Sequence, residues 1–298
     1  MKSTTARCLA LSVAVSAALT TAGCDSSGDS DADDRASGHK GRGPHVGSVA
    51  ALRTVARTTD QADSAKVEST TIMGTTMSLT ADGALGWADG LQGTLTITYT
   101  GGQVADTMRQ LGSTSMEARY LHDAYYARMG DRFAARAGGK HWIKYEYEAL
   151  ADLAGGSGAY LKDQMQNTTP NQSVKLLLAS GDVRKVGEEK VRGSTTTHYS
   201  GTVDVTELAG GDSYLDDDQL ADLKRQLEQA GITTEKVDIW VDDEDLLVKK
   251  TEKAETTTGT VSSTAYYSDY GSQVSAEEPP AADTADFRDL VGREQPAS

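Results

Sequence analysis

The sequence predicts an α+β fold, in which one large curved antiparallel β-sheet is wrapped over a few helices. Three observations carry that prediction. The middle of the 298-residue chain alternates apolar and polar side chains with period two over many short runs. Helical spacing is confined to a few short stretches. The alternating runs are apolar on one face only, the pattern of an antiparallel sheet with one solvated side, so helices have to close the apolar side.

In chain order, Ser48 caps a helix whose inward stripe is Val49, Leu52, Val55 and Ala56. Strands follow near 66–80 and 83–88. Then Leu95, Ile97 and Tyr99 point one way while Thr94, Thr96 and Thr98 point the other. A run over 115–129 adds a strand, and beyond it Ile143, Tyr145 and Tyr147 alternate with Trp142, Lys144 and Glu146. After a glycine-rich break at 155–158, Tyr160, Leu161 and Met165 mark a short helix. Thr169-Pro170 opens another, with Val174, Leu177 and Leu178 inward and Gly181 as its stop. The run 183–192 is extended, and Tyr199, Val203 and Val205 alternate with His198, Thr202 and Asp204. A helix beginning near Asp216 carries three aspartates at its positive end, buries Leu220, Leu223 and Leu227, and stops at Gly231. Val237, Ile239 and Val241 alternate with Asp238, Trp240 and Asp242, and runs over 246–257 and 260–270 complete the sheet. The acidic run from Asp242 to Asp245 reads as a charged turn between two strands.

The two ends follow different rules. Lys2 and Arg7 precede an apolar stretch, Leu9 to Ala22, that is too short to cross a bilayer, which takes about 20 apolar residues. It ends Thr21-Ala22-Gly23-Cys24, which resembles the lipobox of bacterial lipoproteins. That resemblance implies a signal peptide over 1–23, a diacylglyceryl group on the Cys24 thiol, and a chain held at the extracytoplasmic face of the bacterial cell membrane. Two or more acyl chains anchor stably. Residues 24–47 carry almost no large aliphatic side chain and form an acidic tether that cannot offset its ordering entropy. The folded domain is expected over 48–271. Residues 272–298 are rich in proline and acidic side chains, and only Phe287, Leu290 and Val291 are expected to fold back onto the body, the rest being mobile.

Composition excludes several functions. A net charge of −15 opposes nucleic-acid binding. Cys8 and Cys24 are the only cysteines, so neither a disulfide framework nor a cysteine zinc site is available. His122, His141 and His198 are isolated, and no serine-nucleophile motif occurs. No enzyme activity, cofactor or metal is expected.

The stretch Gly187-Glu188-Glu189-Lys190-Val191-Arg192-Gly193, followed by Thr195 to Val205, resembles the signature of actinobacterial lipoproteins of the LppX/LprG type. Tyr120 to Met129, Trp142-Ile143-Lys144 and Val237 to Asp242 echo the same family. The resemblance implies a LolA/LppX-like half-barrel closed on its concave face by helices. It further implies a non-catalytic binder or carrier of a hydrophobic ligand, such as the acyl chains of a lipid or lipoglycan. The alternative it leaves open is an envelope sensor or scaffold that binds another protein without a lipid cavity. The expected cavity lining is Met73, Met77, Met116, Met129, Met165 and Leu177, because thioethers make an adaptable apolar wall.

Overall fold

The computed structural model describes residues 46–152, 169–180, 183–206, 217–256 and 259–292. Helix α1 (Val46–Gln61) leads into six strands that pair in chain order: β1 (Ser64–Met73), β2 (Met77–Gly86), β3 (Gln92–Gly101), β4 (Ser115–Tyr120), β5 (Ala124–Arg128) and β6 (Trp142–Glu146). Short helices α2 (Gly102–Gln110) and α3 (Asp131–Ala134) lie in the β3–β4 and β5–β6 connections, and α4 (Tyr147–Asp152) follows β6. Helix α5 (Asn171–Ala179) precedes a second run, β7 (Arg184–Val191), β8 (Ser194–Asp204), α6 (Asp217–Gln229), β9 (Ile232–Val241), β10 (Leu247–Thr256) and β11 (Gly259–Ser268). Strand β11 pairs antiparallel with β1, so the two meanders join at the centre of one open 12-stranded sheet. Its edges are β7, which carries exposed charged side chains that discourage further pairing, and β12 (Thr284–Asp286), which adds the one parallel pairing, onto β6.

Register explains how one face becomes the core. Ala285, Ile143, Ala127, Ala118, Leu95, Gly83, Val67 and Tyr267 are successive cross-strand partners, a single inward row of small and apolar residues. Val49, Leu52 and Val55 of α1, Val174, Leu177 and Leu178 of α5, and Leu223 and Leu227 of α6 are buried in the same core cluster as this face. The stripes expected from helical spacing are the ones that pack. Helix α1 begins two residues before Ser48, and Ser48 is itself buried.

Several boundaries differ from expectation. The run 66–80 is a hairpin, turning between Met73 and Met77, and the run 115–129 turns at 121–123. Parity requires the second turn. Tyr120 and Tyr125 are an odd number of residues apart and would face opposite sides of one strand, but across a turn they become partners on the same face. Helices α2, α3 and α4 were not anticipated: α3 and α4 are too short to show a period, and α2 opens on a glycine with only Val104, Ala105 and Met108 apolar. Tyr147, expected within a strand, opens α4. The helix expected near Tyr160, and Gly181, lie outside the described residues. The acidic run forms the turn it was expected to form, with Asp242 Oδ1 accepting from the main-chain N–H groups of Glu244 and Leu246.

Residues 272–292 are seated on the body over their whole length rather than at the Phe287 patch alone. Ser64 Oγ donates to the Ser272 carbonyl at 2.6 Å, Arg119 to the Glu277 carbonyl at 2.9 Å and Lys140 to the Thr284 carbonyl at 2.8 Å. Asp283 Oδ1 accepts the His141 main-chain N–H at 2.8 Å and lies 2.7 Å from His141 Nδ1. These bonds hold the Asp283 carboxyl below the usual carboxylate range. Most of these contacts use main-chain carbonyls of the tail, which leave no pattern in its side chains. Helix α7 (Phe287–Gly292) then places Phe287 against Tyr145, ring centroids 4.8 Å apart. Phe287→Ala is expected to cost about 1–2 kcal/mol, the cost of truncating a half-buried aromatic, read as a lower urea midpoint at unchanged slope.

The outer face is tied by polar and aromatic contacts. His198 stacks on Trp240 at 4.3 Å, with its Nε2 2.9 Å from Asp238 and its Nδ1 3.4 Å from Glu189. The β7–β8 turn has positive φ at both Arg192 (50°) and Gly193 (97°), as a two-residue hairpin requires. Its Arg192 guanidinium makes two bonds to Glu68, at 2.8 and 2.7 Å, and lies 3.9 Å over the Tyr266 ring. His198 is therefore a structural strand histidine.

Candidate functional site

The candidate site is the interior between the sheet and helices α1, α5 and α6. Its two ends differ in chemistry. Over β3–β6, inward positions are occupied by Ile97, Tyr99, Met116, Tyr120, Tyr125, Met129 and Tyr145, with Tyr147 just beyond β6. Tyr120 meets Tyr125 edge-on at 5.1 Å, and Tyr125 meets Tyr145 at 5.8 Å. Gly93 is the β3 partner of Tyr120, so a missing side chain makes room beside a large one. Burial pushes the Tyr120 and Tyr145 hydroxyls up to about 12 and raises those of Tyr125 and Tyr147 as well.

Over β9–β10 the inward face carries charge. Lys250 Nζ lies 3.0 Å from Glu252 Oε1, and the same oxygen accepts the Ser173 hydroxyl of α5 at 2.5 Å. Glu235 is buried nearby, paired in register with Ala254 and Val203. Burial raises its carboxyl to about 8; the Glu252 charge adds to that and Lys250 opposes it. Burial alone would lower the Lys250 pKa, but Glu252 and its other neighbours outweigh it and hold the ammonium above its ordinary range. At neutral pH the interior thus holds one ion pair and one protonated acid.

Helix α5 sits very close to the sheet. A Cβ built on Gly201 of β8 would lie 2.4 Å from Ser180 Oγ and 3.0 Å from Leu177 Cδ2. The absent side chain is what lets α5 settle at that height. Around it, Asn171 donates to Asp60 of α1 at 3.0 Å and Gln172 to Gln226 of α6 at 2.9 Å. The three helices form one connected cover.

Of the residues expected to line a cavity, Met116 and Met129 share the inward face of β4 and β5 and are half-buried against the core. Leu177 is fully buried between α5 and β8. Met73 and Met77 face one another at the β1–β2 turn, away from the other three, and Met73 is exposed. Met165 and Cys24 lie outside the described residues. The sequence places Tyr99, Tyr145 and Tyr147 on strand faces, and Glu235 was not singled out, although period two sets it in line with Val237, Ile239 and Val241. Outside the interior, a polar cleft of about 540 Å³ is bordered by Asp63, Gln92, Tyr270 and Ser272, and none of the expected lining residues reaches it.

The fold is that of an α+β domain, one open sheet with helices packed on its inner face. Among solved structures the chain is similar to the Mycobacterium tuberculosis lipoprotein LppX (TM-score 0.48, 13% identity, 78% of this chain and 99% of that one). It is also similar to LprF from Mycobacterium bovis (TM-score 0.47, 15% identity, 78% and 97%). No family model matches the chain. It is 55% identical to the Streptomyces coelicolor protein named "Putative lipoprotein SCO4650", over 98% of each chain. It is 59% identical to an uncharacterized 31.2 kDa protein of Streptomyces griseus, over 82% of this chain and 80% of that one. The chain belongs to this streptomycete lipoprotein family.

Proposed function

We propose that this protein is anchored by acyl groups on Cys24 at the extracytoplasmic face of the cell membrane and binds a hydrophobic ligand as a non-catalytic carrier. The ligand lies in the interior between the sheet and α1, α5 and α6. The observation that carries this reading is the β3–β6 wall, where Met116, Met129 and Ile97 stand with Tyr120, Tyr145 and Tyr147, and where the buried Tyr147 hydroxyl has no hydrogen-bond partner among the described residues. The driving force is burial of acyl chain, about 0.8 kcal/mol per CH₂. Among the described residues, the exposed large hydrophobics are Ile72, Met73 and Val186, at the β1 tip and on β7. They are too scattered to form a protein-docking patch, which favours a ligand inside over a partner outside.

The test is native mass spectrometry with organic extraction, on the full chain solubilised from membranes of an actinobacterial host. A stoichiometric non-covalent lipid is expected. A clean mass, with no uptake of offered acyl lipids, would sink the carrier reading in favour of the sensor or scaffold alternative.

A further inference from the structure

The β3–β6 wall is not lined as a site for bare hydrocarbon would be. Tyr120, Tyr125 and Tyr145 are in successive ring contact on its inward face, with Tyr99 and Tyr147 on the same wall. Burial raises the phenol pKa of each, and neighbouring tyrosines add to the rise at Tyr120, Tyr125, Tyr145 and Tyr147. Among the described residues none of these five hydroxyls makes a hydrogen bond, and that of Tyr147 is fully enclosed. A buried hydroxyl without a partner is costly and uncommon in native interiors. The enclosed Tyr147 hydroxyl, beside four further phenols of the same wall without a hydrogen bond among the described residues, points to an acceptor that the chain does not itself supply.

The electrostatics narrow what those acceptors are. Burial keeps the phenols protonated, so they are neutral donors throughout the physiological range. Among the described residues no lysine or arginine acts on any of the five, and the Asp123 carboxylate acts on Tyr147. Among those residues a buried anion there would have no counter-charge.

We propose that the five tyrosines form a subsite for the uncharged, oxygen-bearing part of an amphiphile, taken inside the domain, and that this subsite rejects carboxylate and phosphate head groups. The inference rests on the carrier reading, in which Met116, Met129 and Ile97 take the adjoining chain. Phenol O–H groups donate to hydroxyl or carbonyl oxygens of the ligand, and the ring faces cover its C–H groups.

The experiment uses the full chain, delipidated in detergent and titrated calorimetrically at pH 8 with monoolein, its ether analogue 1-O-oleylglycerol, and oleate. Monoolein is expected to bind about tenfold or more tighter than oleate. Tyr125→Phe and Tyr147→Phe, each removing one oxygen, are expected to weaken monoolein by roughly five- to tenfold and leave oleate unchanged. Urea midpoints of both variants no lower than that of the parent show that the fold is retained. If the ether binds as tightly as monoolein, ligand hydroxyls are what the wall reads; if it is weaker by the same factor as the Phe variants, the ester carbonyl is. Either result supports the subsite. Oleate binding as tightly as monoolein, or Phe variants without effect on monoolein, would overturn the subsite while leaving the carrier reading standing. Uptake of none of the three lipids would overturn both.

Discussion

Glu235→Gln is expected to stabilise the domain by roughly 2–4 kcal/mol at pH 8–9 and by little at pH 4–5. The side chain keeps its shape and loses only its ability to ionise. In the folded chain burial raises the carboxyl to about 8, from an ordinary value of 4.5. Between those values the unfolded chain releases the proton and the folded chain retains it, so parent stability falls as pH rises through that window. A glutamine does not titrate, and the gap between variant and parent should open from about pH 4.5 and level off above about 8. Urea unfolding across pH 4–9 reads this directly. A constant difference at all pH values would show that Glu235 is not the titrating group. The contrasting substitution is Glu252→Gln, which strips Lys250 of its carboxylate partner and frees the Ser173 hydroxyl. Breaking a buried pair from one side is destabilising, by about 3–5 kcal/mol in comparable cases. Opposite signs for two glutamate-to-glutamine changes on neighbouring strands would separate the ion pair from the lone acid.

The second large effect belongs to the seat of α5. Gly201→Ala is expected to cost about 2–3 kcal/mol, within the range for overpacking a tight interior, because the new methyl meets Ser180 Oγ at 2.4 Å and Leu177 Cδ2 at 3.0 Å. Ser180→Ala in the same chain removes the nearer obstacle and should recover at least half of that loss, a coupling that independent sites would not show. Additive costs in the double variant would mean that the helix, not the serine, sets the spacing. Since α5 carries Ser173 to Glu252, the single variant should also weaken lipid uptake.

Much of the inward face was legible in the sequence. Val49, Leu52 and Val55, then Val174, Leu177 and Leu178, then Leu223 and Leu227 are spaced as helical stripes, and all are buried. Val237, Ile239 and Val241 alternate as a half-buried strand and pack accordingly. The site was less legible. Methionines were singled out by side-chain type, but type does not say where a residue lies along the sheet, and Met73 ends at an exposed turn while Met116 and Met129 face inward. Alternation places each tyrosine on a strand face and is silent about which rings meet across strands, as Tyr120, Tyr125 and Tyr145 do. Glu235 stood in phase with three apolar neighbours, a sign of a buried acid that period two alone supplied.

By itself the sequence determined which side chains of each strand and helix face inward, because alternation and helical spacing depend only on neighbours along the chain. Tertiary structure decided which of those residues share a space. That Tyr120 meets Tyr125, that Lys250 pairs with Glu252 beneath Ser173 with the Glu235 acid nearby, and that residues 272–292 are seated across β1, β4 and β6 all follow from cross-strand register and helix docking. Those are set by contacts between segments far apart in the chain, and no local spacing encodes them.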